Sequence, residues 1–195
     1  MSGDVWIAAK NTVDGISGAT ALSILALDGE KITTALSNSG FTLSNLFFGF
    51  IPGSIGETSA LCCILGASFL IITKIANFRI IIGGILGLIV TSIIFYLIPG
   101  GSDSWMDAGP LYHLCAGGFL FGISFMATDP VSAPGTNPGR WIYGFLIGFL
   151  TVTIRVVNPA FVEGTMLAIL FMNVFASLLD HIIIKNNASK RIPNV

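Results

Sequence analysis

Residues 79–98 read RIIIGGILGLIVTSIIFYLI, twenty positions whose single charge is the first. A helix of that length crosses a hydrocarbon core of about 30 Å, and a helix satisfies its own backbone hydrogen bonds in lipid. Working outward, apolar runs of similar length recur from Glu57 to Lys74, Leu111 to Thr128, Arg140 to Val157 and Glu163 to Ile184. Between them stand breakers: Asn77 and Phe78, Pro99-Gly100-Gly101, Pro130 to Gly139, and Asn158-Pro159. The pattern predicts an all-α integral membrane protein with five transmembrane helices over 57–184, an external or interfacial segment over 1–56 and a tail over 185–195. Composition agrees, because 53% hydrophobic and 10% charged residues, with a mean hydropathy of +0.86, leave too little polar surface for a soluble domain. A net charge of -1 with no basic patch excludes nucleic acid as a partner and leaves the lipid bilayer as the medium.

Basic residues set orientation by staying cytoplasmic. Lys74 and Arg79 flank the first turnaround, Arg140 the third, and Lys185, Lys190 and Arg191 form the tail. The loop from Pro99 to Pro110 has no basic residue and holds Asp103 and Asp107, and the loop from Asn158 to Val162 has none either. The first helix therefore starts outside, the C-terminus is cytoplasmic, and residues before Glu57 lie on the outer face, Lys10 and Lys31 running against that trend. Before Glu57, Phe41 to Ile51 is apolar but too short to span and is read as interfacial. The first residues lack the charged-then-apolar run of a secretory signal. An external segment with no membrane helix ahead of it reads as the start of a fragment of a longer protein.

That external segment carries Asp14-Gly15-Ile16-Ser17-Gly18-Ala19-Thr20. The heptapeptide resembles the flavinylation motif in which a Thr hydroxyl is esterified to the phosphate of FMN. Asp14, Ser17, Gly18 and Ala19 are then the recognition residues and Thr20 the acceptor, its hydroxyl left open by small neighbours on a flexible backbone. The same residues also fit a turn running into a helix N-terminus capped by Ser17 or Thr20. An outer placement is where a secreted flavin transferase would meet Thr20.

Four further stretches widen the resemblance: Gly53-Ser54-Ile55-Gly56-Glu57-Thr58-Ser59, Phe125 to Ser132, Arg155-Val156-Val157-Asn158-Pro159, and Glu163-Gly164 through Asp180-His181. In this order they resemble the B-subunit family of bacterial sodium-translocating NADH:quinone reductases, over essentially the whole chain. The resemblance implies a multi-pass protein of the bacterial inner membrane. It further implies one half of an inverted-repeat, urea- and ammonium-transporter-like bundle, with covalent FMN on the periplasmic side. Riboflavin in the complete protein, sodium, ubiquinone, a flavin transferase and the other subunits of the complex are the implied cofactors and partners. Members of that family carry a further N-terminal half that this chain lacks.

Reducing a flavin adds negative charge in a low dielectric, where a compensating cation is strongly favoured. Sodium takes oxygen ligands, and the acids in or beside the spans are Glu57, Asp129, Glu163 and Asp180. Glu57, Asp129 and Asp180 are the candidates for the sodium pathway. Their structural alternatives are a capping charge in the first turn of a helix for Glu57, an Asx-type turn for Asp129 and interfacial snorkelling for Asp180. Arg155 has two readings, an ion pair with Glu163 or a contact to the FMN phosphate or ring. Cys62, Cys63 and Cys115 read as packing residues, and Gly83 with Gly87, Gly118 with Gly122 and Gly144 with Gly148 as close helix contacts. The chain has no dinucleotide fingerprint, Walker loop or cysteine cluster, so nicotinamide oxidation belongs to another polypeptide of the complex. Two alternatives stand beside this reading. One is the D subunit of the ion-translocating ferredoxin:NAD oxidoreductase, and the other is a flavin-free channel or structural membrane protein of urea-transporter type.

Overall fold

The computed structural model describes residues 22, 42–51, 56, 58–97, 109–158 and 163–189. Every regular element among them is helical. They are α1 (Leu43–Phe48), α2 (Ala60–Ile72), α3 (Phe78–Leu97), α4 (Pro110–Cys115), α5 (Phe119–Phe121) continued by a π turn (Gly122–Met126), α6 (Asn137–Val157) and α7 (Thr165–Ser189).

Three of these are long and apolar enough to cross a membrane: Phe78–Leu97, Asn137–Val157 and Thr165–Ala188. They fall on the second, fourth and fifth expected spans. The other two expected spans are not full helices. Glu57 to Lys74 shortens to the 13 residues of α2, about 20 Å of rise. Ser59 starts that helix by accepting the Cys62 N–H. Thr73 ends it by turning its hydroxyl back onto the Phe69 and Leu70 carbonyls, and Lys74 follows in the left-handed region, φ 60°. Leu111 to Thr128 is interrupted outright, as described below. The short apolar stretch before α2 forms α1, capped by Thr42 and ended by Gly49 at φ 88°. It leaves Phe47, Phe48 and Phe50 exposed, which suits an interfacial position.

The core is a parallel pair, α3 beside α6, with glycines at the seam. A β-carbon on Gly144 would collide with the Ile80 carbonyl oxygen, one on Gly148 with that of Gly84, and one on Gly87 with that of Phe145. Removing side chains at these positions is what lets the two backbones touch. α7 runs antiparallel to α6: Gly164 lies against Thr151 and Ile154, Tyr143 donates its hydroxyl to Asn173 at 2.5 Å, and Asp180 reaches residues 135 and 136. Phe119, Ile123, Tyr143, Ile147 and Ile169 fill the space between the helices. The outward faces of α3 and α7, such as Val90, Ile94, Leu170 and Val174, stay apolar and exposed, as lipid- or protein-facing surfaces do.

This geometry sorts the charges. Arg79 and Arg140 open two parallel helices, Lys185 lies near the end of the antiparallel one, and Lys74 shares a cavity wall with Arg140. All four stand at one end of the bundle, while Arg155 lies in the last turn of α6 at the other.

Candidate functional site

The interrupted span is where this fold departs from a simple bundle. After Cys115 the chain turns extended at Ala116, φ -83° and ψ 133°, and enters the left-handed region at Gly117, φ 69°. A residue with a β-carbon holds that conformation at a cost. Helix resumes for one turn as α5 and then widens into the π turn, closed by the Ala127 N–H donating to the Gly122 carbonyl at 2.8 Å. Breaks and π turns free backbone groups that a continuous helix would satisfy. In an apolar setting each must find another partner.

Arg155 and Glu163 supply those partners. The Arg155 side chain is fully buried; its Nη1 donates to the His113 carbonyl at 2.6 Å and its Nη2 to the Ala116 carbonyl at 3.0 Å. Its Nε donates to the Glu163 backbone carbonyl at 3.2 Å. Glu163 accepts the Gly118 N–H on Oε1 at 2.6 Å, and the same oxygen lies 3.8 Å from Arg155 Nη2. That separation makes a charge pairing without a bidentate hydrogen bond. One buried cation thus takes the carbonyls on the near side of the break and one half-exposed carboxylate the N–H on its far side.

The break has a neighbour from the N-terminal segment. Leu22 is buried, and a β-carbon on Gly117 would run into its Cδ1 and meet Glu163 Oε2 at 2.5 Å. On the same side Phe121 lies 3.5 Å from where a Gly56 β-carbon would stand, and Cys63 Sγ donates to the Gly56 carbonyl at 3.6 Å. Residue 22, the start of α2 and the break therefore share one end of the molecule.

Among the predicted site residues, Asp14, Ser17, Gly18, Ala19, Thr20 and Glu57 lie outside the described residues. Of the two readings for Arg155, the ion pair with Glu163 is formed. Asp129 is exposed and accepts the Ser132 N–H at 3.1 Å and the Ser132 hydroxyl at 2.9 Å, the turn expected as its structural alternative. Those two hydrogen bonds hold its carboxyl below the ordinary carboxylate value. Asp180 accepts the Gly135 N–H at 2.6 Å, the Thr136 N–H at 3.0 Å and the Thr136 hydroxyl at 2.5 Å. It clamps α7 to the loop that starts α6, where a carboxylate also meets the positive end of the helix dipole. Asp129 and Asp180 thus brace different parts of one loop at the basic end.

Glu163 is not among the candidate site residues read from the sequence, where it enters only as one of the acids beside the spans and a possible partner of Arg155. The adjacent pair Gly117-Gly118 gives no decisive signal, because Gly83-Gly84 in α3 is the same pair inside a helix that stays continuous. Gly122 keeps the close helix contact expected of it, packing against Thr165 of α7, whose Cγ2 would lie 2.8 Å from its β-carbon, while Gly118 stands at the break.

A profile of the NQR2, RnfD, RnfE family matches residues 1–189. The chain is 52% identical over 194 residues to the B subunit of the Na(+)-translocating NADH-quinone reductase of Ectopseudomonas mendocina, covering 98% of this chain and 46% of that protein. To the protein of the same name from Azotobacter vinelandii it is 50% identical, over 98% of this chain and 46% of the relative. For the one from Chromohalobacter salexigens the identity is 48%, over 98% and 45%. The chain spans about half the length of these curated relatives. With the profile match running from the heptapeptide through the interrupted span to the end of α7, this chain belongs to the NQR2, RnfD, RnfE family.

Proposed function

We propose that the chain is the flavin-carrying part of the membrane-embedded B subunit of a sodium-translocating NADH:quinone reductase. In this reading it bears FMN as a phosphoester on Thr20 and helps couple electron transfer toward ubiquinone to sodium movement. The observation that carries the reading is the seating of Leu22 on Gly117 at the helix break. Thr20 stands two positions before Leu22, and a chain extends at most about 3.6 Å per residue, so a group attached to Thr20 is tethered beside the broken span. That end is opposite the four accessible cations, and by the positive-inside rule it faces the periplasm, where a flavin transferase would act.

When bound, FMN supplies electron transfer in one- or two-electron steps. The chain's own residues supply the frame. Arg155 and Glu163 keep residues 116–118 open by taking the His113 and Ala116 carbonyls and the Gly118 N–H, so Arg155 serves the flavin at one remove. Broken helices expose backbone carbonyls that suit a hard monovalent cation, and Glu57, Asp129 and Asp180 are the carboxylates proposed along the sodium route. The other subunits of the complex, and riboflavin in the complete protein, belong to the same proposal. The names of the relatives at about half identity favour the quinone reductase over the ferredoxin:NAD oxidoreductase D subunit.

Mass spectrometry of the tryptic peptide Asn11 to Lys31, from protein made with an active flavin transferase, tests the attachment. The expected result is an FMN-sized mass increment that is absent in Thr20→Ala. An unmodified wild-type peptide would remove the redox reading.

A further inference from the structure

At the basic end a cavity of about 190 Å³ opens between the α2–α3 turn and the loop that follows the π turn. Lys74, Asn77, Thr128, Pro134 and Arg140 line it. Arg140 donates its Nε to the Pro134 carbonyl at 2.9 Å, which holds the guanidinium at the wall. Its terminal nitrogens have no hydrogen-bond acceptor among the described residues. No carboxylate lines the cavity among those residues, and Asp180, the acid that acts on Arg140, already accepts three hydrogen bonds from Gly135 and Thr136. The first turn of α3 also reaches the cavity through Asn77 and Ile80, so the positive pole of that helix adds to the two cations.

Two cations and a helix N-terminus make a site for an anion, because the acids beside it, Asp129 and Asp180, do not line the cavity and are engaged by Ser132, Gly135 and Thr136. The volume is below the roughly 300 Å³ of pockets that take drug-sized ligands and suits a small tetrahedral group. The site also stands at the end of the spans where Lys74, Arg79, Arg140 and Lys185 gather, the level at which basic pockets between transmembrane helices meet anionic headgroups. We propose that this cavity binds a phosphate group, carried by an anionic phospholipid of the adjoining leaflet or by a soluble phosphate, with Lys74 and Arg140 as its cationic ligands. Arg140 offers a planar fork of donors and Lys74 a point charge, a complementary pair for phosphate oxygens.

The test uses the full-length protein in its native membrane complex, released into micelles of phosphatidylcholine with phosphatidylglycerol. Native mass spectrometry then counts the phosphatidylglycerol retained, with and without millimolar inorganic phosphate. Lys74→Gln and Arg140→Gln should each lower retention about ten-fold, the loss of one charged hydrogen-bond partner, and Arg140→Lys should lie between. Lys185→Gln, at the same end but outside the cavity, should retain the lipid as the wild type does. Lipid kept in the presence of phosphate identifies a lipid headgroup as the occupant, and displacement identifies a soluble phosphate. Lys74 is an exposed turn residue, so Lys74→Gln alone decides the matter if Arg140→Gln fails to assemble. Equal retention in the wild type and the Lys74→Gln protein, an equal loss in Lys185→Gln, or no binding of either probe would overturn the proposal.

Discussion

The α3–α6 pair and the broken span from Pro110 to Met126 contain the same ingredients, apolar runs with glycines four residues apart, and use them in opposite ways. In the pair, Gly144 and Gly148 sit on the backbone of α3 and Gly87 on that of α6, so missing side chains bring two continuous helices together. In the broken span, Gly117 takes a positive φ and the helix opens. An adjacent glycine is not what separates the cases, since Gly83 and Gly84 are neighbours and stay helical in α3; a buried arginine close enough to take the carbonyls that opening releases is. A glycine pair in a membrane helix therefore signals close approach where the neighbouring helix offers only backbone, and a break where it offers donors.

Removing those donors should erase the difference at the largest cost. Arg155→Leu leaves the His113 and Ala116 carbonyls buried without their guanidinium partners, and Glu163 without its counter-charge. A loss of about 3 to 5 kcal/mol is expected, read as a lower unfolding midpoint of the purified protein. Arg155→Lys, with a point charge and no fork, should recover only part of it. An unchanged midpoint in Arg155→Leu would mean that the break does not depend on the arginine.

Much of this contrast was legible in the sequence, for reasons that can be traced residue by residue. The spans at α3, α6 and α7 follow from hydropathy over about 20 positions, which depends on local composition alone. The interruption does not, because Leu111 to Thr128 is as apolar as its neighbours; it is decided by Arg155 and Glu163, some forty residues away in the chain. The short α2 was hidden for a related reason, since the expected span from Glu57 to Lys74 held Ser59 and Thr73 inside it, and only their hydroxyls bonding to the helix ends mark them as its limits. At the site, the Arg155–Glu163 pair was among the readings the sequence allowed. The seating of Leu22 on Gly117 carries no sequence signal, because a leucine after a small-residue motif fits almost any packing.

The glycines offer a sharper and smaller test. Gly148→Ala places a methyl on the Gly84 carbonyl oxygen, and backbone yields less readily than a side chain, so a loss of about 1 to 3 kcal/mol is expected. Gly117→Ala should cost about 1 to 2 kcal/mol through its left-handed backbone and should also displace Leu22. Gly122→Ala meets only the Thr165 Cγ2 and the Ile169 Cδ1, side-chain atoms that can shift, and should be the mildest of the three. The same unfolding midpoints give the ranking, and Gly122→Ala falling below Gly148→Ala would undo the distinction between seam and break.

The smallest effects are expected where each region is closed by a carboxylate accepting backbone N–H groups, Glu163 at the break and Asp180 at the start of α6. Asp180→Asn keeps one acceptor oxygen for Gly135 or Thr136 and loses the other along with the charge, so a modest fall in the midpoint is expected, well short of that for Arg155→Leu. Asp129→Asn, on an exposed turn with its two hydrogen bonds to Ser132, should leave the midpoint unmoved. Sodium dependence then separates bracing from transport. If the proposed function holds, neutralising a carboxylate on the sodium route in the complete complex raises the sodium concentration for half-maximal quinone reduction, roughly ten-fold if one charged ligand is lost. A carboxylate that only braces a loop leaves that concentration unchanged. The exposed, lightly held Asp129 is expected to show the rise with full stability, and Asp180, with three hydrogen bonds already fixed, to show the stability loss with the smaller rise. Unchanged sodium dependence in both would reduce these acids to loop braces and move the cation route to the carbonyls of the broken span.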